Sequence, residues 1–355
     1  SSKTVTLPAS SVTSHVDTSK LEYNQALLAF KVASSNQLAK FQMVDQVVDE
    51  YQDATGIDAG NSTNELISGS GTAKYYEGGS SVTPTVTGGD TNNVDPSDSD
   101  YWIHKFTSNG NFVTDSAMTV DFLVVAGGGS GGAPDYSGGG GAGGLRTSFG
   151  STSGGGSSAE AGASMSAATY TVVVGNGGAA VSTQSNNVSG QGADSSLIGT
   201  GVSITSTGGG RSNYSQDGSA GGSGGGGGRE GGAGNGDGGA GTANQGYAGG
   251  TSDPSDGGSG GGGASAVGEN APTDNSRGGN GGAGLSVSIT GVAVTYAGGG
   301  GGAAHSGSHG TGGSGGGGNA TGTGGGNGTN GLGGGGGGVK TAGSNPSTTG
   351  GSGVV

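Results

Sequence analysis

A few groups of residues in this sequence have types and spacings suited to chemistry. Gly127, Gly129 and Gly132 follow the apolar run Phe122-Leu123-Val124-Val125-Ala126 and fit G-x-G-x-x-G, the fingerprint that seats a dinucleotide pyrophosphate. That fingerprint needs a helix whose N-terminus points at the phosphates. Here Ala133-Pro134-Asp135-Tyr136-Ser137 and four glycines come next, and glycine and proline are the poorest helix formers. Nucleotide binding is therefore not expected. His305 and His309 stand four apart, a spacing that pairs imidazoles on a helix face, but their glycine-rich surroundings do not build one, so no metal is expected. The acidic stretch from Asp90 to Asp100 offers oxygen ligands for calcium yet lacks EF-hand spacing and its terminal Glu. It reads as a solvated loop. The remaining carboxylates and the four His residues form no acid–base or nucleophile set, so neither an enzyme nor a cofactor is expected.

Composition explains why catalytic motifs dissolve. Of 355 residues 95 are Gly, only 28% are hydrophobic and 5% aromatic, whereas an ordinary domain is about 45–50% apolar with glycine counted. A conventional core fits only in the first third or as a thin layer of strands. With no cysteine there are neither disulfides nor thiolate metal sites. A net charge of −14 on 10% charged residues argues against nucleic-acid partners. No apolar run approaches the roughly 20 residues that span a bilayer. Ser1-Ser2-Lys3 leads into polar residues, without the apolar core of a secretory signal.

The elements that must position any site fall into three segments. Residues 1–54 begin with a β-branched arm and continue with Ser19-Lys20-Leu21-Glu22, which fits a capping box. From there apolar residues recur at helical spacing, and Phe41, Val44, Val48 and Tyr51 are spaced as a heptad seam. The expectation is an amphipathic helix over 19–51, with a candidate break at Ser34-Ser35-Asn36, that gathers copies of the chain; the alternative is a helix packed on its own domain. Residues 55–100 read as a linker. Residues 101–355 open with a strand at Trp102–Phe106 and hairpin chemistry at Ser108-Asn109-Gly110-Asn111. Short strands follow at 120–126, 170–174, 202–205 and 285–296, the last turning at Gly291, and glycine tracts fill the spaces between them.

Two states compete for those tracts. Gly loses the most entropy on ordering, so an isolated tract behaves as a flexible linker. The alternative is a lattice of extended helices with three residues per turn, whose bare backbones bond laterally on all sides. Gly222, Gly225, Gly228, Gly231 and Gly234 share one register of three while Arg229 and Glu230 fall off it, as a helix with one buried face requires. Scattered prolines and the lack of a Gly-X-Y frame rule out collagen. The fold class is thus mainly β and irregular, with an N-terminal helical segment, short strands and a polyglycine II-like sandwich.

The ordered string WIHKFTSNGNF, VDFLVVAGGGSGG, GGGGAGGLR, YTVVVGNGG, LSVSITGVAVTYAGGGGG, GGNGTNGLGGGGGG and GGSGVV resembles the glycine-rich domain of bacteriophage structural and tail-fibre proteins, above all those of marine phages. The likeness covers about residues 101–355; the departures are the chain's own hairpin and N-terminal helix, and its stop at Val355 where that domain usually continues into a closing strand. In the related tip adhesins of T-even-like phages the glycine tracts pack as a polyglycine II sandwich whose loops touch the host. The resemblance implies a virion-surface fibre or attachment protein, assembled as a trimer, contacting other virion proteins through its N-terminal region and a host-cell receptor through its loops. A passive, capsid-decorating fibre is the alternative. A glycine body has little side-chain chemistry, so recognition falls to the loops, where Tyr and Arg give contact area at modest entropic cost. The candidates are Tyr136, Arg211, Tyr214 and Tyr247, with His305 and His309 behind them.

Overall fold

The computed structural model describes residues 2–7, 27–31, 38–43, 71–76, 85–97, 101–132, 136–180, 190–213, 216–228, 236–252, 257–273, 276–340 and 347–355. The chain divides into two units, Ser1–Thr83 and Pro84–Val355.

The first unit is an antiparallel sheet of β1 (Ser2–Leu7), β2 (Leu27–Lys31), β3 (Leu38–Met43) and β4 (Gly71–Tyr76), in the order β1-β4-β3-β2. This corrects the helix expected over 19–51: the described parts of that segment are strands. Pairing across the sheet puts Leu28, Phe41 and Tyr75 at register positions in one row. Phe41 therefore lies in β3, whereas Val44, Val48 and Tyr51 lie outside the described residues. β4 also falls within the stretch read as a linker.

The second unit is strand-rich. Its only helical turn among the described residues is the 3-10 turn Gly154–Gly156. The largest sheet runs β15 (Val202–Ser206), β14 (Ser195–Gly199), β13 (Ala168–Val173), β8 (Gly110–Thr114) and β5 (Val86–Thr87), all antiparallel. Two-stranded ribbons add β6 (Thr91–Val94) with β7 (Trp102–Lys105), β9 (Met118–Val120) with β12 (Ala163–Met165), β10 (Leu123–Val125) with β11 (Leu145–Thr147), and β16 (Leu285–Val287) with β17 (Val294–Tyr296). As expected, β16 and β17 pair about a turn at Gly291, whose φ of 74° suits glycine. The expected hairpin across 108–111 is not formed, because β7 pairs with β6 and β8 with β13 and β5. The Asp90 carboxylate accounts for that corner. It accepts from the N–H groups of Thr107 (2.6 Å) and Ser108 (3.0 Å) and from both hydroxyls, turning the chain out of one sheet and into the next.

Two apolar clusters lie among these strands. One gathers Phe106, Phe112, Tyr170, Val172, Leu197 and Ile204; the other gathers Leu123, Val125, Leu145, Val287, Tyr296 and Val354. Tyr170 is wholly buried, and its hydroxyl accepts from Ser166 N–H at 2.9 Å, so the polar tip is not stranded.

Beyond the strands the glycine tracts form ordered rods. In residues 138–144 the N–H partners change with each residue and return after three. Gly139 and Ala142 donate to Ser259 and Gly262 (2.9 and 3.0 Å), Gly140 and Gly143 to Gly336 and Gly333 (2.8 and 2.9 Å), and Gly141 and Gly144 to Gly210 and Thr207 (both 2.8 Å). The carbonyls repeat the cycle toward three further rods. Gly141 and Gly144 accept from Gly129 and Ala126, Gly139 and Ala142 from Gly226 and Ser223, and Ser137 and Gly140 from Ala303 and Gly300. A period of three is that of an extended helix with three residues per turn, and six neighbours surround this rod. Residues 257–263 and 298–303 show the same threefold rotation of partners. At most rod positions there is no room for a side chain: a Cβ on Gly140 would fall on the carbonyl oxygen of Gly129, and one on Gly300 on that of Gly336.

Candidate functional site

The order of the pairings gives each rod a direction. Partners of 138–144 rise together in 257–263, which is parallel, and fall in 126–132, 207–210, 221–228, 298–303 and 333–338, which are antiparallel. The rod at 138–144 runs into β11, those at 190–193 and 278–284 run into β14 and β16, and those leaving β10, β13, β15 and β17 run the other way. One end of the array is therefore capped by strands. At the opposite end the chain turns back between residues 132 and 137, 180 and 190, 213 and 217, 228 and 236, 252 and 257, 271 and 277, 303 and 310, 321 and 326, and 340 and 347. Those turns form the loop end.

Four of the expected contact residues stand there. Tyr136 opens the central rod with φ of 52°, a left-handed conformation uncommon outside glycine. Its ring meets the His305 imidazole edge-on, with centroids 4.7 Å apart. Beneath it the Ser137 hydroxyl donates to Gly132 C=O at 2.6 Å and accepts from Val339 N–H at 3.0 Å, which ties the turn to the rod beside it. His309 Nδ1 accepts from Ala304 N–H at 3.0 Å, so the neutral imidazole staples its own loop. Burial, and then the charge of nearby Lys340, hold the His309 pKa below the ordinary value. The buried His305 Nδ1 has no hydrogen-bond partner among the described residues. Arg211 lies at the end of the rod after β15, where its Nε donates to Asn213 Oδ1 at 3.0 Å and Asn213 Nδ2 donates to Asp217 C=O at 2.8 Å. Rods 207–210 and 298–303 are both neighbours of the central rod, but they bond to it through different groups. Arg211 thus belongs to another part of the loop end than the Tyr136–His305 pair.

Tyr247 is placed elsewhere. It starts a rod that runs parallel to 266–271 and away from the strand cap, and its hydroxyl lies against Gly156, so it stands at the strand end. Tyr214 is outside the described residues.

The sequence reading missed a polar bracket at the loop end. Arg277 grips the Glu269 carboxylate through both terminal nitrogens, while Asn280 donates to Glu269 Oε2 from its N–H (3.1 Å) and Nδ2 (2.7 Å). Asn280 Oδ1 in turn accepts from Thr311 N–H at 2.9 Å. The Arg277 contact, first among several, lowers the Glu269 pKa. No local spacing signals this bracket, because Glu269 and Thr311 sit on other rods than Arg277 and Asn280. The arrangement offers aromatic edges, imidazoles and a cation for surface recognition. Among the described residues no three His, Asp or Glu side chains gather as a metal site.

A protein-family model described as "Glycine-rich domain" matches residues 107–355, from the corner after β7 through every rod. The chain belongs to the glycine-rich domain family. The matched stretch of this glycine-rich domain holds both ends of the rod array, the strand cap and the loop end alike. No curated protein and no solved structure matches the chain.

Proposed function

We propose that the glycine-rich domain is a polyglycine II-like sandwich serving as a bacteriophage virion fibre or surface-attachment protein, which holds its loop end toward a host-cell receptor. The observation that carries this reading is the polarity of the rods. An array with all these turns at one end and an apolar strand layer at the other is built to present the first and anchor the second. The phage setting rests on the resemblance of the strand-then-glycine string. Further copies of the chain, as a trimer, and other virion proteins are the proposed partners of the N-terminal region, and the virion surface is its place.

Adsorption of labelled, purified protein to cells susceptible to the particle tests the reading. The protein should bind and compete with infection, and Tyr136→Ala with Arg211→Ala should cut adsorption without lowering Tm. Tyr247→Ala, at the strand end, should leave adsorption intact. Binding that ignores all three substitutions would leave the passive, decorating fibre as the better account.

A further inference from the structure

One surface of the second unit has no part in the loop-end reading. β6 is exposed along its whole length and pairs with β7 on one side only. Asp95 N–H donates to Tyr101 C=O at 2.9 Å, which makes those two residues a hydrogen-bonded pair. By the alternation of an antiparallel ladder, the N–H and C=O groups of Asn92 and Val94 then point away from β7, and no described strand takes them. Natural sheet edges are guarded by lysine, proline or a bulge. Thr91-Asn92-Asn93-Val94 carries neither lysine nor proline.

The same end of the ribbon is apolar and acidic. Val94 lies across from Trp102, which like Tyr101 is 63% exposed. Gly291 lies against Asp95 and Pro96, which brings the exposed Val292 beside them. Asp90 and Asp95 flank β6, and Asp98 and Asp100 stand between β6 and β7 in the sequence. The ribbon's lysine, Lys105, pairs with Thr91 at its far end.

We propose that β6 is the docking edge for an extended, basic segment of a partner protein. The segment adds as a strand beside β6, lays an aliphatic side chain on Val94, and brings lysine or arginine to Asp95 and the face of Trp102. A second copy of this chain fits less well. Antiparallel pairing of β6 with itself through its outward groups brings a second Asp90 and Asp95 to the same edge and no lysine or arginine, and like net charge opposes association. The ribbon lies at the strand end, so the proposal stands whether or not the loop end touches a cell.

Trp102 is the sole tryptophan of the chain, so its emission reports on this surface alone. The probes are two short synthetic peptides of alternating Val and Thr, one flanked by lysines and the other by glutamates. The lysine peptide should shift Trp102 emission to the blue, saturably and less tightly as salt rises, and the glutamate peptide should not. Val94→Pro removes an outward N–H yet suits an edge strand, and should weaken binding about tenfold or more. Asp95→Asn keeps the oxygen that accepts from Ser97 N–H and should weaken the lysine peptide selectively. Equal response to both peptides, no response to the lysine peptide, or unchanged affinity in both variants overturns the proposal. Emission that instead depends on protein concentration alone overturns it in favour of self-pairing.

Discussion

Gly140 and Gly322 illustrate how unequal two glycines are in this chain. A Cβ on Gly140 meets backbone, which cannot swing aside, whereas the nearest atom to one on Gly322 is His309 Nε2 at 3.7 Å, ordinary contact. Gly140→Ala should therefore cost about 1–3 kcal/mol or more, the range for overpacking, and Gly322→Ala should stay within about 0.5 kcal/mol, both read from denaturant melts. His309 yields a second expectation. Its folded pKa is depressed, so the fold favours the neutral ring; the resulting stabilisation is present above the unfolded value of 6.5 and is lost as pH falls through the folded pKa. Protection of the Ala304 amide should fall from pH 7 toward pH 5 while remote rods keep theirs, and NMR titration of His309 should give a midpoint below 6.5. At this scale the sequence was partly legible. Gly291 was readable as a turn because a two-residue pattern flanks it. The Asp90 clamp was not, since a carboxylate reaching Thr107 and Ser108 leaves no trace in spacing.

Among the elements, the short strands were legible wherever alternation was bounded by glycine, as at β13 and at β16 with β17. The N-terminal segment was not. Apolar residues at 41, 44, 48 and 51 fit a helix seam, but the row formed by Leu28, Phe41 and Tyr75 depends on pairing between strands that are distant in sequence, which local periodicity does not contain. The rods were legible only as a period, and their partners were not, because a glycine run fits every register equally. That register is now specific enough to test. One glycine inserted between Gly140 and Gly141 turns the rest of the rod by a third of a turn and displaces the bonds to Gly210, Gly262, Gly333 and Thr207. Tm should drop markedly, whereas the same insertion after Gly307, in the loop that follows rod 298–303, should cost little.

In the molecule as a whole, the rods with six neighbours should be the last to open. Amide exchange by mass spectrometry should find residues 138–144, 257–263 and 298–303 slowest, and rods at the rim, such as 236–240, faster. The strand layer will add protection of its own, since Val354 and Val355 bond to Val125 and Phe106 and close both apolar clusters. Loss of those two residues should lower Tm and speed exchange at Phe106 and Val125.

The ring of bonds around 138–144 also has a mechanical meaning. A β-sandwich is tied by backbone hydrogen bonds within each sheet and by side-chain packing between sheets, so it has a soft plane along which the layers slide. Around this rod backbone bonds leave in every lateral direction, and no cut through it follows side chains alone. A sideways pull on the loop end is therefore shared among neighbouring rods whatever its bearing, and the domain should resist shear in single-molecule pulling with little dependence on the direction of the load.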